Sequence, residues 1–186
     1  TQGGGNSKVV SCSGKYPAIW GQDMSSWYGD RKDPLWYQTW QNTLKGIQTA
    51  QERGQIIQIN WHWMMVASKV NGVYTRDAWG KELYSSNNTV QTMSEQQWTD
   101  LVTPGTTLNQ ILLEDIDYHV INFLNNIVDK NGFPIPILFR PLHEIDGGWF
   151  WWTCSTNPER TVQLYKILQD RIMNYHQVHN LIWIWN

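Results

Sequence analysis

The sequence lacks long apolar runs and clustered basic residues, and each shortage excludes a class of protein. No stretch reaches the roughly 18 consecutive apolar residues that a membrane-spanning helix needs, so we expect no membrane segment. Lys and Arg number 14 against 16 Asp and Glu, without a basic cluster, which argues against a nucleic-acid partner. A neutral polymer suits such a surface better.

Cysteines and metal ligands are also scarce. Cys12 precedes the first predicted strand and Cys154 follows the third, so in one parallel barrel they would fall near opposite faces. That separation exceeds the roughly 7 Å between Cα atoms that a disulfide allows, and we expect no bond between them. No set of His, Cys and Asp has metal-ligand spacing, and His176 and His179 are interpreted as a solvated surface pair. No metal or cofactor is predicted.

What the chain has in abundance is tryptophan. It carries 13 Trp among 186 residues, and 41% of its residues are hydrophobic. This composition is sufficient for a core and for a single domain over residues 1–186. Because indole rings stack on carbohydrate and also fill cores, the count favours a sugar-binding protein or a hydrolase only modestly.

Apolar patterns with strand and helix periods alternate along the chain. Strands are predicted at Tyr16–Asp23, Gln55–Trp61, Ile135–Arg140 and Leu181–Trp185, and helices at Leu35–Arg53, Leu108–Asp129 and Pro158–Gln177. Between residue 63 and about residue 106 the pattern is weak, apart from a capping box at Ser94 and Gln97. The alternation predicts an α/β fold with four parallel strands and right-handed crossovers.

The residues from 140 to 152 carry most of the functional signal. A buried strand becomes a charged tip, then a Gly-Gly turn and four aromatic rings: Arg140-Pro141-Leu142-His143-Glu144-Ile145-Asp146-Gly147-Gly148-Trp149-Phe150-Trp151-Trp152. A strand that delivers an acid and an imidazole to its carboxyl end, with indole rings just beyond, is typical of a site that cleaves sugars. The alternative is a structural Arg–Glu pair capped by core aromatic residues, because buried ion pairs are common.

This run resembles the acid/base strand of glycoside hydrolase family 26, the β-mannanase family, whose members carry an Arg-Pro-x-His-Glu strand followed by a Gly-x-Trp-Phe-Trp-Trp loop. Tyr16–Asp23 and Gly54–His62 resemble the family's second and third barrel strands, and Val178–Asn186 resembles the fifth. The resemblance implies that the chain is part of a (β/α)8 barrel, containing its second to fifth strands, and an interior portion of the catalytic domain.

The resemblance further implies a secreted endo-β-1,4-mannanase, monomeric at full length, that hydrolyses mannan or glucomannan by a retaining mechanism. Glu144 would be the general acid/base, and an indole-rich, poorly hydrated pocket would favour its protonated form. The nucleophile would lie on the seventh strand, beyond Asn186, since Asp146 is too close to Glu144 in sequence to oppose it across a sugar. The 186 residues alone are then expected to be inactive.

The other predicted site residues bind the substrate. His62 is similar to the family's third-strand histidine, and the resemblance makes His143 a residue that contacts sugar hydroxyls or surrounds the acid/base, with a core histidine as the alternative. Asp23 ends another strand at the same face, and Trp61 adjoins His62. Trp149, which the Gly-Gly turn frees to fold back over the acid, is predicted to stack on a sugar ring.

Two other functions stay open at this stage. A related activity on xylan or mixed-linkage glucan would use the same catalytic residues with different loops. A non-catalytic carbohydrate-binding protein would keep the Trp-rich surface and have lost a carboxylate. Whether a glutamate follows at the seventh-strand position of the gene separates these functions.

Overall fold

The computed structural model describes residues 8–24, 34–63, 68–70, 73–75, 93–148, 150–154 and 156–186. The chain forms two compact units. The first comprises Thr1–His62, Ile121–His143 and His179–Trp185, and the second comprises Trp63–Val120, Glu144–Val178 and Asn186. Each is described by itself below.

The helices and strands in chain order are α1 (Lys8–Ser13), β1 (Ile19–Asp23), α2 (Pro34–Glu52), β2 (Ile56–Trp61), β3 (Ser68–Val70), β4 (Val73–Thr75), α3 (Glu95–Val102), α4 (Thr107–Asn122), β5 (Ile137–Pro141), α5 (Pro158–Asp170) and β6 (Leu181–Trp183). A 3₁₀ turn follows α4 at Leu124–Asn126, and a π-helical turn follows α5 at Arg171–Tyr175. Strands β1, β2, β5 and β6 form a parallel sheet in that order, and β3 pairs with β4 as an antiparallel hairpin. The predicted α/β fold with four parallel strands is confirmed.

One face of the parallel sheet forms the core of the first unit. The strand register pairs Ile59 with Phe139 and Phe139 with Trp183. Because side chains alternate between the faces of a strand, these residues line up on one face. Phe139 is fully buried, with its ring centroid 6.4 Å from that of Trp61 and 5.2 Å from that of Trp183. The aromatic layer supports the strands just before their carboxyl ends.

Helix α2 packs its apolar stripe into the same unit. Trp40 and Ile47 are seven residues apart, two helical turns, and both are buried. At Gly46 a Cβ atom would lie 2.9 Å from Cζ2 of Trp20, so the missing side chain allows the helix to approach β1 closely. The helix ends at a glycine, as predicted, because Gly54 adopts the left-handed conformation with φ of 75°.

The second unit has a core built from α3, α4, α5 and the aromatic segment. Its fully or nearly fully buried side chains include Trp98, Leu101, Leu112, Ile116, Trp151, Trp152, Leu164 and Leu168. The capping box predicted before α3 is present. The Ser94 hydroxyl accepts a hydrogen bond from the backbone N–H of Gln97 at 3.1 Å, and the side-chain oxygen of Gln97 accepts one from the backbone N–H of Ser94 at 2.8 Å. The weakly patterned region therefore contains a regular helix with a defined start.

The helix predicted at Leu108–Asp129 is shorter than expected, since α4 ends at Asn122. Phe123 leaves helical geometry with φ of −129° and ψ of −63°, and its side chain is fully buried. The Asn126 amide donates to the carbonyl of Ile121 at 3.1 Å, which satisfies one of the open carbonyls at the helix end. The helix therefore ends before its apolar pattern does.

The helix predicted at Pro158–Gln177 also changes before its expected end. After Asp170 the chain forms the π-helical turn, in which the backbone N–H of His176 donates to the carbonyl of Arg171 at 3.1 Å. The wider turn redirects the side chains that follow it, so their positions do not continue the helical period of α5.

The described helices include none that is both long and apolar enough to cross a membrane. Both cysteines are free, Cys12 exposed and Cys154 buried. Among the residues that the structure describes, no group of three or more His, Cys, Asp or Glu side chains is placed to hold a metal ion.

Candidate active site

The predicted site residues of the first unit lie at the carboxyl edge of its parallel sheet. Asp23 is the last residue of β1, His62 directly follows β2, and His143 is the second residue after β5. Parallel strands end at one edge, so the register brings together residues that are far apart in sequence. In parallel α/β folds this edge is where catalytic and binding residues collect.

Asp23 holds both the backbone and the ring of His62. Its Oδ2 accepts a hydrogen bond from the backbone N–H of His62 at 3.2 Å and forms a short contact with Nδ1 of the same residue. The two side chains are 14% and 20% exposed, so solvent reaches the pair without surrounding it. A carboxylate on Nδ1 favours the tautomer that carries its proton there, which leaves Nε2 of His62 as an acceptor.

His143 completes a chain of three side chains. Its Nε2 lies 3.0 Å from Nε2 of His62, and the two rings meet edge to face with centroids 4.2 Å apart. His143 is only 3% exposed. Asp23, His62 and His143, called the strand-end cluster below, are therefore linked in series by hydrogen bonds.

The backbone before His143 leaves strand geometry. Leu142 has φ of 48° while its side chain is 1% exposed, a left-handed conformation that costs a residue with a Cβ roughly 1 kcal/mol or more. In a regular strand His143 and Glu144 would point to opposite faces. The turn at Leu142 breaks that alternation, and the packing of its buried side chain holds the turn in place.

Glu144 begins the second unit and lies three residues beyond the end of β5. It also has a positive φ, 56°, and its carbonyl accepts from the N–H of Gly147 at 3.1 Å in a tight turn. Its side chain is exposed. The described residues of the second unit therefore leave Glu144 outside the poorly hydrated pocket predicted for it, since Trp151 and Trp152 are buried in the core.

Those neighbours form a buried aromatic group in the second unit. Trp151 and Trp152 are at most 2% exposed, and Phe150 stacks on Trp152 with centroids 4.2 Å apart. The indole N–H of Trp151 donates to the carbonyl of Trp63, whose own indole N–H donates to Asp115 at 2.6 Å. Two of the four rings in the segment are therefore core residues.

Two tryptophans, Trp149 and Trp61, are predicted from the sequence to contact substrate, and the structure describes only Trp61. Trp149 lies outside the described residues, so its role as a stacking surface stays a prediction. Trp61 is fully buried, with its ring beside Phe139 on the core face of the sheet. It is placed to pack the core, because alternation along β2 directs it to the same face as Ile59.

A second ionic cluster, which the sequence did not reveal, lies in the second unit. Arg171 donates from Nε and Nη2 to the two oxygens of Asp117 at 2.7 and 2.6 Å, and Nε2 of His176 lies 2.7 Å from the same carboxylate. The Arg171 guanidinium also stacks on Tyr175, 3.5 Å from the ring centroid. The interpretation of His176 as a solvated histidine is wrong, since its side chain is 11% exposed and bound to Asp117.

The helix cluster, as Asp117, Arg171 and His176 are called below, shifts the ionisation of its members. Burial disfavours the charged carboxylate, but hydrogen bonds from Arg171 and His176 outweigh that cost and lower the pKa of Asp117 below its usual value. The hydrogen bond to Asp117 in turn raises the pKa of Arg171. No sequence signal joins Asp117 to residues more than fifty positions later, because the π-helical turn decides where those side chains point.

Known proteins resemble this chain over nearly its whole length. The sequence profile of glycosyl hydrolase family 26 matches residues 1–186. Mannan endo-1,4-beta-mannosidase of Thermothelomyces thermophilus is 33% identical over 180 residues, which cover 96% of this chain and 34% of that protein. Mannan endo-1,4-beta-mannosidase B of Piromyces sp. is 33% identical over 187 residues, covering 94% and 27%. The chain thus spans about a third of the length of these curated relatives.

Solved structures of family 26 proteins also resemble this chain. GH26A from Muricauda sp. MAR_2010_75 superimposes with a TM-score of 0.71 at 32% identity, over 96% of this chain and 51% of that one. The GH26 beta-mannanase BoMan26A from Bacteroides ovatus gives a TM-score of 0.68 at 26% identity, over 97% and 47%. The sheet and its helices are accordingly a portion of a (β/α)8 barrel. With a family profile that covers all of residues 1–186 and relatives that are 33% identical to it, the chain belongs to glycosyl hydrolase family 26.

Proposed function

We propose that this chain is part of an endo-β-1,4-mannanase that cleaves mannan or glucomannan with retention of anomeric configuration. The observation that carries the proposal is the strand end at β5, where His143 lies in a hydrogen-bonded cluster and Glu144 follows it with an exposed carboxyl. Membership of glycosyl hydrolase family 26 and the 33% identity to proteins named mannan endo-1,4-beta-mannosidase support the choice of substrate.

Glu144 is the proposed general acid/base. In a retaining reaction one carboxyl protonates the glycosidic oxygen as it leaves and then removes a proton from the attacking water. The second carboxylate attacks the anomeric carbon from about 5–5.5 Å away. By family resemblance that nucleophile belongs to the seventh strand, beyond Asn186, so the 186 residues alone are expected to be inactive.

The strand-end cluster is proposed to serve the substrate. By family resemblance, His62, which is a fifth exposed, and the adjoining His143 are proposed to line the sugar site at the carboxyl edge of the sheet. Trp149 remains the proposed stacking surface, because it follows the Gly147-Gly148 turn next to Glu144 in the sequence. Trp61 is not included, because it is fully buried. We further propose a secreted enzyme that is monomeric at full length, with a polysaccharide as its partner.

The test is hydrolysis of mannan by the full-length gene product and its Glu144→Gln variant. Loss of a general acid lowers turnover by at least about 10²-fold. The loss should be smaller on substrates with activated aryl leaving groups, which need less help from a proton donor. Glu52→Gln is the matched control, since Glu52 is exposed at the end of α2 and should keep wild-type turnover.

Three outcomes would overturn parts of the proposal. Wild-type activity of Glu144→Gln would remove Glu144 from the acid/base role. Preferential hydrolysis of xylan or mixed-linkage glucan over mannan would change the substrate class. Binding of mannan without any hydrolysis by the wild-type gene product would make the protein a carbohydrate-binding protein instead of an enzyme.

A further inference from the structure

The strand-end cluster assigns to Asp23 a different task from the one predicted for it. From the sequence, Asp23 was expected to bind sugar hydroxyls. In the structure its carboxylate is turned onto His62, where Oδ2 meets both the backbone N–H and Nδ1. A carboxylate offers only acceptor atoms, so it orders the protons on the group that it contacts.

Proton counting along the cluster gives a defined arrangement. With Asp23 accepting at Nδ1 of His62, that nitrogen carries the proton, and the neutral ring has only a lone pair at Nε2. The 3.0 Å contact between the two Nε2 atoms holds one proton, which must then come from His143. Neutral His143 is therefore the Nε2–H tautomer, and its Nδ1 is the acceptor nitrogen.

Loss of the carboxylate removes the reason for that arrangement. Without an acceptor at Nδ1, His62 can take the Nε2–H tautomer. Two N–H groups would then face each other across the contact between His62 and His143, and that hydrogen bond would be lost. Because His143 is buried and precedes Glu144 by one peptide bond, a displacement of His143 is passed directly to the backbone of Glu144.

We propose that Asp23 is a positioning residue that sets the tautomer of His62 and, through His62, the tautomer and place of His143. The proposal rests on the proposed mannanase function, because it states how the cluster is prepared for the sugar. It differs from direct sugar binding, because its effect exists before any substrate arrives. Carboxylates that orient metal-bound histidines act in a comparable way, and their loss costs about 10- to 100-fold in metal affinity or activity.

The first experiment records the histidine nitrogen resonances of the ligand-free, full-length gene product, labelled with ¹⁵N at histidine, at mildly alkaline pH. Long-range ¹H–¹⁵N correlation spectra distinguish the two tautomers, and spectra of His62→Gln and His143→Gln assign the signals. We expect His62 as Nδ1–H and His143 as Nε2–H. An Nε2–H tautomer at His62 in the wild type overturns the proposal.

The second experiment compares Asp23→Ala, which removes the acceptor, with Asp23→Asn, which keeps one acceptor oxygen. We expect Asp23→Ala to change the nitrogen shifts of both His62 and His143 and to lower kcat on a manno-oligosaccharide by about 10- to 100-fold, with a smaller change in KM. Asp23→Asn should retain more of both the shifts and kcat. Wild-type histidine shifts in Asp23→Ala, or a change confined to KM, would overturn the positioning role and favour direct contact with the sugar.

Asp117→Ala is the matched control, because Asp117 is also a carboxylate bound to a histidine ring but belongs to the helix cluster. It should change the signals of His176 and leave those of His62 and His143, and kcat, as in the wild type. If Asp23→Ala does not fold, the positioning role of Asp23 is tested by the wild-type tautomers and by the spectra of Asp23→Asn. A wild-type protein that shows the expected tautomers without hydrolysing mannan would refute the proposed function alone.

Discussion

The strand-end cluster and the helix cluster contain similar groups in different settings. Each has a carboxylate in contact with a histidine ring, and the carboxylates are 14% and 23% exposed for Asp23 and Asp117. The clusters differ in their third member. Asp117 is bound through both oxygens by the Arg171 guanidinium, whereas in the strand-end cluster the third member is a second imidazole, His143, which is bonded to His62.

We expect this difference to separate a structural role from a functional one. The guanidinium of Arg171 stays cationic at any pH the protein meets, so it compensates Asp117 permanently and ties α4 to the π-helical turn. Neutral imidazoles carry both a donor and an acceptor nitrogen, so a pair of them can arrange its protons in more than one way. Such a cluster at the carboxyl edge of a parallel sheet suits binding or catalysis. Burial alone would not have distinguished the two.

The largest expected effect is on stability, at Phe139 in the sheet core beneath the strand-end cluster. Phe139→Ala removes a fully buried ring that contacts Trp61 and Trp183, and we expect the free energy of unfolding to fall by about 3–5 kcal/mol. Urea denaturation of wild type and variant measures this difference in the free energy of unfolding. Phe133→Ala is the control, because Phe133 is 68% exposed and its loss should cost less than about 0.5 kcal/mol. Equal losses in the two variants would show that the sheet core does not hold the cluster.

A moderate effect is expected for Asp117→Asn. Replacing an ionised acceptor of the bidentate Arg171 pair should lower the free energy of unfolding by about 1–3 kcal/mol at neutral pH, without changing turnover. Asp170→Asn, at an exposed aspartate bonded to Asn174, should cost much less. A loss of turnover in Asp117→Asn, at unchanged stability, would break the division of roles between the clusters.

The same variant should change the pH dependence of stability. Because the folded pKa of Asp117 lies below its usual value of 3.8, the carboxylate stabilises the folded state fully above that value. The contribution is lost as the pH falls from there through the lowered pKa. Melting temperatures measured from neutral pH down into this acidic range should therefore converge for wild type and Asp117→Asn. A constant difference across the whole range would contradict the assigned origin of the shift.

The smallest expected effect is at Tyr175. Its ring lies 3.5 Å below the Arg171 guanidinium but is 63% exposed, so Tyr175→Leu should cost about 0.5–1 kcal/mol. A double-mutant cycle with Asp117→Asn tests whether the carboxylate holds the guanidinium over the ring. We expect the cost of Tyr175→Leu to shrink in the Asp117→Asn background. Strict additivity would show that the stacking does not depend on the ion pair.

Sequence patterns located the elements well and their ends less well. The four strands, the capping box at Ser94 and the glycine stop at Gly54 follow from local chemistry that any observer can see in the sequence. The helix end at Asn122 does not, because the apolar pattern continues past Phe123, where the backbone leaves helical geometry. The π-helical turn after Asp170 likewise has no local signature, so the role of His176 was misjudged.

For the candidate site, the sequence by itself determined the four parallel strands, through their apolar periods, and the family, through the motif at residues 140–152. It also placed Asp23, His62 and His143 at strand ends. Only the tertiary structure decided which of these groups touch. Hydrogen bonds between residues dozens of positions apart depend on strand register and on the left-handed turn at Leu142, and neither leaves a local trace in the sequence.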